Sequence, residues 1–183
     1  MNNKKTIYIA FLRGINVGGH NVKMDILRNH FTELGFENVR SYIQSGNVFF
    51  ESDENEKVLR NKIEKHLAAS LGYPVAVCLR SITELEKMLK DNPFKEIPLT
   101  PDKRFSILFL AEPTNVDLPI PYITPDGGYE LIHKTSSELF VVWYLKDGRP
   151  SNAYGLIEKK TQVKVTTRFW HTTIKILAAA KQK

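Results

Sequence analysis

Between Arg13 and Lys23 the chain reads RGINVGGHNVK, and this stretch holds its densest set of groups able to grip a ligand. Gly14, Gly18 and Gly19 accept positive φ freely, and Asn16 and Asn21 accept it better than most residues. A loop of that kind can turn its backbone N–H groups outward, where they suit a phosphate or carboxylate. The spacing Gly14-x-x-x-x-Gly19 is that of a P-loop, but His20 and Asn21 stand where that motif needs Lys and Ser/Thr. The lysine that reaches terminal phosphates and the hydroxyl that holds Mg²⁺ are therefore absent, which argues against an NTPase. An anion cradle without metal remains, since backbone amides need no particular side chain. The competing reading is a loop that only packs.

A second candidate lies near the other end, in Val165-Thr166-Thr167-Arg168-Phe169-Trp170. With Thr166 or Thr167 as N-cap of a last helix, two hydroxyls, free amides and the Arg168 guanidinium would meet at one helix start. An ordinary capped helix anchored by Trp170 explains the same residues. The five histidines show no H-x-x-x-H pair, and His30 and His66 fall beside apolar helix positions, where they read as structural; no metal site is expected. His20 and His171 are better placed for proton transfer, but no carboxylate is identified to orient either one. Neither a nucleophile elbow nor a catalytic carboxylate pair is found, and no cofactor is expected. Cys78, the single cysteine, excludes an intrachain disulfide and a thiolate cluster, and reads as a small buried hydrophobe in a strand.

The elements that must position these groups follow from periodicity. Residues 6–12, TIYIAFL, are a strand, and after the glycine-rich loop Leu27, Phe31 and Leu34 recur at helical spacing, with Gly35 as stop signal. Residues 38–43 and 47–51 form a hairpin turning at Ser45-Gly46. Asp53-x-x-Glu56 opens a helix carrying Leu59, Ile63 and Leu67 and ending at Gly72, and residues 74–80 return as a strand. The order βαββαβ is the ferredoxin-like plan, in which the first and third strands pair antiparallel. That pairing places the Gln44-Ser45-Gly46-Asn47 turn beside the Arg13–Asn21 loop, so two polar, glycine-bearing turns share one rim.

Ser81-x-x-Glu84 is a capping box for a helix reaching about Lys90, and Pro93, Pro98 and Pro101 mark a boundary. Residues 104–111 read as a buried strand, residues 112–128 are too rich in proline for more than a short helix, and a hairpin turns at Thr135-Ser136-Ser137. Ser151 caps a helix over residues 152–160, a brief strand covers 163–165, and the last helix spans 168–181. The expectation is an α+β protein of two ferredoxin-like halves packed together, residues 1–91 and a degraded copy in residues 92–183.

The formal net charge is +6, and the segment from Ser151 onward, with seven basic residues against Glu158, carries the whole excess. A basic terminal segment attracts phosphate-bearing partners, although a solvated helix face explains it as well. No apolar run approaches the roughly 18 residues that a membrane span needs, and Arg13 cuts the first apolar stretch too short for a signal peptide. A cytoplasmic location is expected, without a membrane partner; the oligomeric state is left open. Nucleic acid is the second partner class: ferredoxin-like sheets of the RRM type stack bases on first- and third-strand aromatics, here Tyr8 and the Phe49/Phe50 pair. The leading basic residue of the third-strand motif is missing, however, and coverage of that face competes.

Taken together, YIAFLRGINVGGHNVKM, Leu34-Gly35-Phe36, YIQSGNVFF, Asn92-Pro93-Phe94 and TTRFWHT resemble the bacterial domain-of-unknown-function family 1697 over nearly the whole chain. The resemblance implies a two-part ferredoxin-like α+β fold and no defined activity. It also implies functional weight at Arg13, Gly14, Asn16, Gly18, Gly19, Lys23, Gln44, Ser45, Gly46, Asn47, Thr167, Arg168 and Trp170. The family's last motif resembles TTRNWNT, so Phe169 and His171 replace two asparagines here. The reading that follows is a binding protein for a small anionic or phosphorylated ligand. Its site residues are Arg13, Gly14, Asn16, Gly18, Gly19, His20, Asn21, Lys23, Gln44, Ser45 and Asn47, with Thr167 and Arg168 supplying a cation if the halves face each other.

Overall fold

A computed structural model describes residues 5–146, 148 and 154–182. Among them the chain is α+β, with two antiparallel sheets and five helices. It divides into two compact units, Met1–Met88 with Lys175–Lys183, and Leu89–Ile174.

The first unit contains β1 (Thr6–Leu12), α1 (Met24–Glu33), β2 (Glu37–Ser41), β3 (Asn47–Ser52), α2 (Glu56–Leu71), β4 (Val77–Ser81) and most of α3 (Ile82–Asp91). Its sheet runs β2-β3-β1-β4, with Ile9 opposite Phe49 and Phe11 opposite Asn47. Alternation along the strands sends Ala10, Leu12, Val48 and Phe50 into a core closed by Leu27 and Phe31 of α1 and Leu59, Ile63 and Leu67 of α2. Gly35 (φ 82°) and Gly72 (φ 79°) follow the two helices in the left-handed conformation, as their positions predict. The Ser81 box forms in both directions: Ser81 Oγ accepts from Glu84 N at 3.2 Å while Glu84 Oε2 accepts from Ser81 N at 2.8 Å. One cap moves. α2 is capped by Asn55, whose Oδ1 accepts from Val58 N at 3.0 Å, and not by Asp53.

The second unit holds β5 (Lys103–Leu110), β6 (Tyr122–Ile123), β7 (Tyr129–Lys134), β8 (Glu138–Tyr144), α4 (Tyr154–Thr161) and β9 (Val165–Phe169), and α5 (Trp170–Lys181) begins in it. Its sheet runs β6-β7-β8-β5-β9. The part β7-β8-β5-β9 repeats the order of the first sheet, with no helix between β5 and β7 among the described residues. Phe94 stacks on Phe105 at 4.6 Å and meets Trp170 edge-on at 5.2 Å, so the Asn92-Pro93-Phe94 motif seats an aromatic cluster. The two-residue strand β6 lacks any period a sequence could display. The expected Ser151 cap lies outside the described residues.

The C-terminal expectation needs correction. Val165–Phe169 is a strand antiparallel to β5, Leu108 opposite Thr167 and Ser106 opposite Phe169, and α5 begins only at Trp170. Val165, Thr166, Thr167 and Phe169 are β-branched or aromatic, and a ladder with a strand some sixty positions earlier outweighs the local cap they could have made.

Candidate functional site

The rim of the first unit is built from the end of β1, the loop after it and the turn between β2 and β3. Leu12 N donates to Gly46 O and Arg13 N to Ala76 O, both at 2.9 Å, so the loop leaves the sheet between two neighbouring segments. Asn16 sits at φ 56° and acts through its amide. Its Oδ1 accepts from Val22 N at 2.7 Å, and its Nδ2 donates to Val22 O at 3.1 Å and to Gln44 O at 2.7 Å. One side chain thus closes the loop on itself and ties it to the hairpin. Ile15, 2% exposed, anchors the loop in the core beneath.

The hairpin side is equally tight. Asn47 is fully buried, and its Nδ2 donates to Tyr42 O and Ser45 Oγ, each at 3.1 Å. Gly46 has φ 72°, and a Cβ there would lie 2.9 Å from Ile15 Cβ and 3.1 Å from Leu12 Cβ. Only glycine meets both demands. Gly18 (φ 62°) and Gly19 (φ 90°) need glycine for conformation alone, since the space around them is open. Both are exposed, and among the described residues no protein group accepts from their N–H. The His20 ring stacks on Tyr73, centroids 3.9 Å apart, which fixes the far end of the loop. Lys23 is the N-cap residue of α1 and makes no side-chain cap bond.

Loop and turn are therefore neighbours, as the strand pairing predicts: Arg13, Gly14, Asn16, Gly18, Gly19, His20, Asn21, Lys23, Gln44, Ser45 and Asn47 all belong to one rim or its support. Asn47 is a buried brace and Asn16 a half-buried one; Gly18, Gly19, Asn21 and Gln44 are exposed. Thr167 and Arg168 belong to β9 of the second unit. Arg168 is 7% exposed and donates to Thr166 Oγ1 at 3.0 Å and Thr167 O at 2.7 Å, so the hydroxyl expected to cap a helix serves this guanidinium instead.

Sequence reading missed a cleft of about 380 Å³ on the flank of the same hairpin, lined by Arg28, Arg40, Ser41, Tyr42, Phe49 and Ala179 among others. Arg28 donates to Ser41 Oγ at 2.7 Å. Arg40 lies over the Phe49 ring and donates to the last-turn carbonyls of α5, Ala179 O at 3.1 Å and Ala180 O at 2.9 Å. Its charge is thereby set against the negative end of that helix. The residues able to hold a metal are elsewhere in the unit: His30, Glu33 and His66, whose ligand atoms all lie within 4.8 Å of one another.

Base stacking on the first sheet is not supported by the side chains. Phe50 is in the helix-side core with the half-buried Tyr8 stacked on it, ring centroids 5.8 Å apart, and on the opposite face Phe11 and Phe49 are 0% and 1% exposed. Phe11, Phe49 and Phe50 therefore present no face to a base. The basic C-terminal residues are also parcelled out, with Lys159, Lys160, Lys164 and Arg168 in the second unit and Lys175 and Lys181 in the first. Cys78 is fully buried in β4, as expected of an inert thiol.

Residues 5–140 match the family described as "Protein of unknown function (DUF1697)". The chain belongs to this family. No functionally curated protein matches it. Among solved structures it is similar to the conserved bacterial protein SP0830 from Streptococcus pneumoniae, at 27% identity and a TM-score of 0.74, over 98% of this chain and 100% of that one. The rim residues fall inside the family match, whereas Thr167 and Arg168 fall beyond it. Among the described residues no helix is long and apolar enough to cross a membrane.

Proposed function

We propose that this family member is a cytoplasmic binding protein that takes a small anionic or phosphorylated ligand on the rim of its first unit. The βαββαβ order and the shared strand order of the two sheets support reading both units as ferredoxin-like, the second without its first helix. In such a frame the rim is a natural place for a ligand, because loop and turn are presented by strands that the core holds rigid. The observation that carries the reading is the Asn16 brace. Three hydrogen bonds from one amide hold a glycine-rich loop in a single shape while the N–H groups of Gly18 and Gly19 stay open to solvent. Preorganised amides of this kind bind anions without first paying to order the loop. Arg13 and Lys23 at the loop's ends supply long-range attraction.

The test is an amide NMR titration of the whole chain with inorganic phosphate and then a panel of sugar and nucleoside phosphates. Saturable shifts at Gly18, Gly19, Asn21 and Gln44, weakened at least about tenfold by Asn16→Ala, are expected. Amides that stay still at millimolar phosphate and with every panel member refute the assignment.

A further inference from the structure

His30, Glu33 and His66 stand apart from the rim, and they carry an inference independent of it. His30 and Glu33 are one turn apart on α1, hence on one face, and His66 reaches them from α2. His30 Nδ1 lies 3.2 Å and His66 Nε2 3.1 Å from the same oxygen, Glu33 Oε2. The two rings stand at 67° with centroids 5.3 Å apart, so they meet edge-on at the carboxylate. A zinc ion holds nitrogen and oxygen ligands at about 2.0–2.1 Å, which at the tetrahedral angle separates neighbouring ligand atoms by about 3.3 Å. The two nitrogen–oxygen edges already have nearly that length.

We propose that His30, Glu33 and His66 form a site for a borderline first-row divalent cation, Zn²⁺ in the first instance, that ties α1 to α2. Two imidazoles and one carboxylate suit Zn²⁺, Co²⁺ or Ni²⁺ rather than Mg²⁺ or Ca²⁺, which take oxygen ligands. The scaffold is firm beneath the ligands. Leu27 and Phe31 of α1 and Ile63 and Leu67 of α2, each within four positions of a ligand on its own helix, are fully buried in one core. The histidine side chains are 15% and 26% exposed, so few rotamers are open to them. Glu33 is 58% exposed, which leaves the outer side of the ion to water. Linear spacing hides the site because its third ligand is supplied by helix packing.

The experiment uses the untagged full chain, stripped with chelator and titrated with Zn²⁺ by calorimetry and with Co²⁺ by visible absorption. One equivalent is expected to bind, with a Co²⁺ spectrum of low coordination number and NMR shifts at His30 Nδ1 and His66 Nε2. His66→Asn and Glu33→Gln are expected to weaken Zn²⁺ by about 100-fold and at least about tenfold, since even outer-shell partners cost 10–100-fold. His171→Asn, at an exposed position of α5, is expected to leave the affinity unchanged. Circular dichroism shows that each variant is folded, and the Co²⁺ spectrum and imidazole shifts of the parent chain stand whether or not a variant folds. Absence of saturable binding, or binding that survives His66→Asn, overturns the proposal and leaves a hydrogen-bonded clamp between two helices.

Discussion

Substituting Gly46 by alanine tests the joint between loop and hairpin. The residue is at φ 72°, where a non-glycine residue costs about 1–2 kcal/mol. The new methyl would also sit 2.9 Å from Ile15 Cβ and 3.1 Å from Leu12 Cβ, both parts of buried, bonded segments that cannot swing aside. Overpacking of that kind costs about 1–3 kcal/mol. The stiffer unfolded chain gives back about 0.4–1 kcal/mol, so the net loss expected for Gly46→Ala is about 1–4.6 kcal/mol. At Gly18 (φ 62°) the same substitution meets open space, so its loss stays near 1 kcal/mol or below by the same arithmetic. The assay is urea unfolding of both variants, read by two probes, because Trp143 and Trp170 are both in the second unit. Fluorescence follows that unit, and circular dichroism follows both. The Gly46→Ala loss should therefore appear as a lowered midpoint in the circular dichroism transition of the first unit, with an unchanged slope. If the Gly46 and Gly18 variants agree within about 0.5 kcal/mol, the crowding at Ile15 and Leu12 is not a constraint and the rim is looser than described.

Three further outcomes follow. Removing the Asn16 brace with Asn16→Ala deletes three hydrogen bonds worth about 0.5–1.5 kcal/mol each, and the Val22 amide should lose its hydrogen-exchange protection before its neighbours in α1 do. Arg40→Gln strips the terminal carbonyls of α5 of their cation and should cost about 1–3 kcal/mol, with faster exchange confined to the last turn of that helix. In alkali, the bond from Tyr144 Oη to Glu130 Oε2 at 2.7 Å and the burial of Tyr129 push both phenols up to about 12. An unfolded tyrosine releases its proton near pH 10, so their contribution is complete below that pH and is lost between about 10 and 12. Glu130→Gln should lower the Tyr144 midpoint in the ultraviolet tyrosinate band; a midpoint near 10 in the parent protein contradicts the assignment.

What the sequence reveals here divides by the range of the interaction that decides it. Gly35, Gly72 and the Ser81–Glu84 box are readable because the groups that satisfy them are within a few residues. Asp53 and Asn55 compete for one helix start, and local chemistry ranks them almost equally; the bond from Val58 N decides for Asn55. At Val165–Phe169 the deciding partner is β5, so the threonines look like caps until the sheet is known. The rim is the exception that topology explains. Its two turns lie about thirty residues apart, yet the antiparallel pairing of β1 and β3 forces their ends together, and that pairing follows from element order alone.

The same distinction separates the two candidate sites. The rim was foreseeable because it is made of backbone, and glycine and asparagine announce unusual backbone in the residue string. The His30–Glu33–His66 cluster is made of side chains on two helices, and nothing in the spacing of residues 30 and 66 marks them as facing each other. Helix contact is set by Leu27 and Phe31 against Ile63 and Leu67, ordinary apolar positions that any amphipathic pair would show. Shifting α2 by one residue would turn His66 by about 100° and remove it from Glu33 while leaving much of the apolar pattern intact. The Zn²⁺ titration therefore tests packing register as well as chemistry. Binding that depends on both Glu33 and His66 fixes the rotation of α2 against α1 in solution, independently of anything bound at the rim.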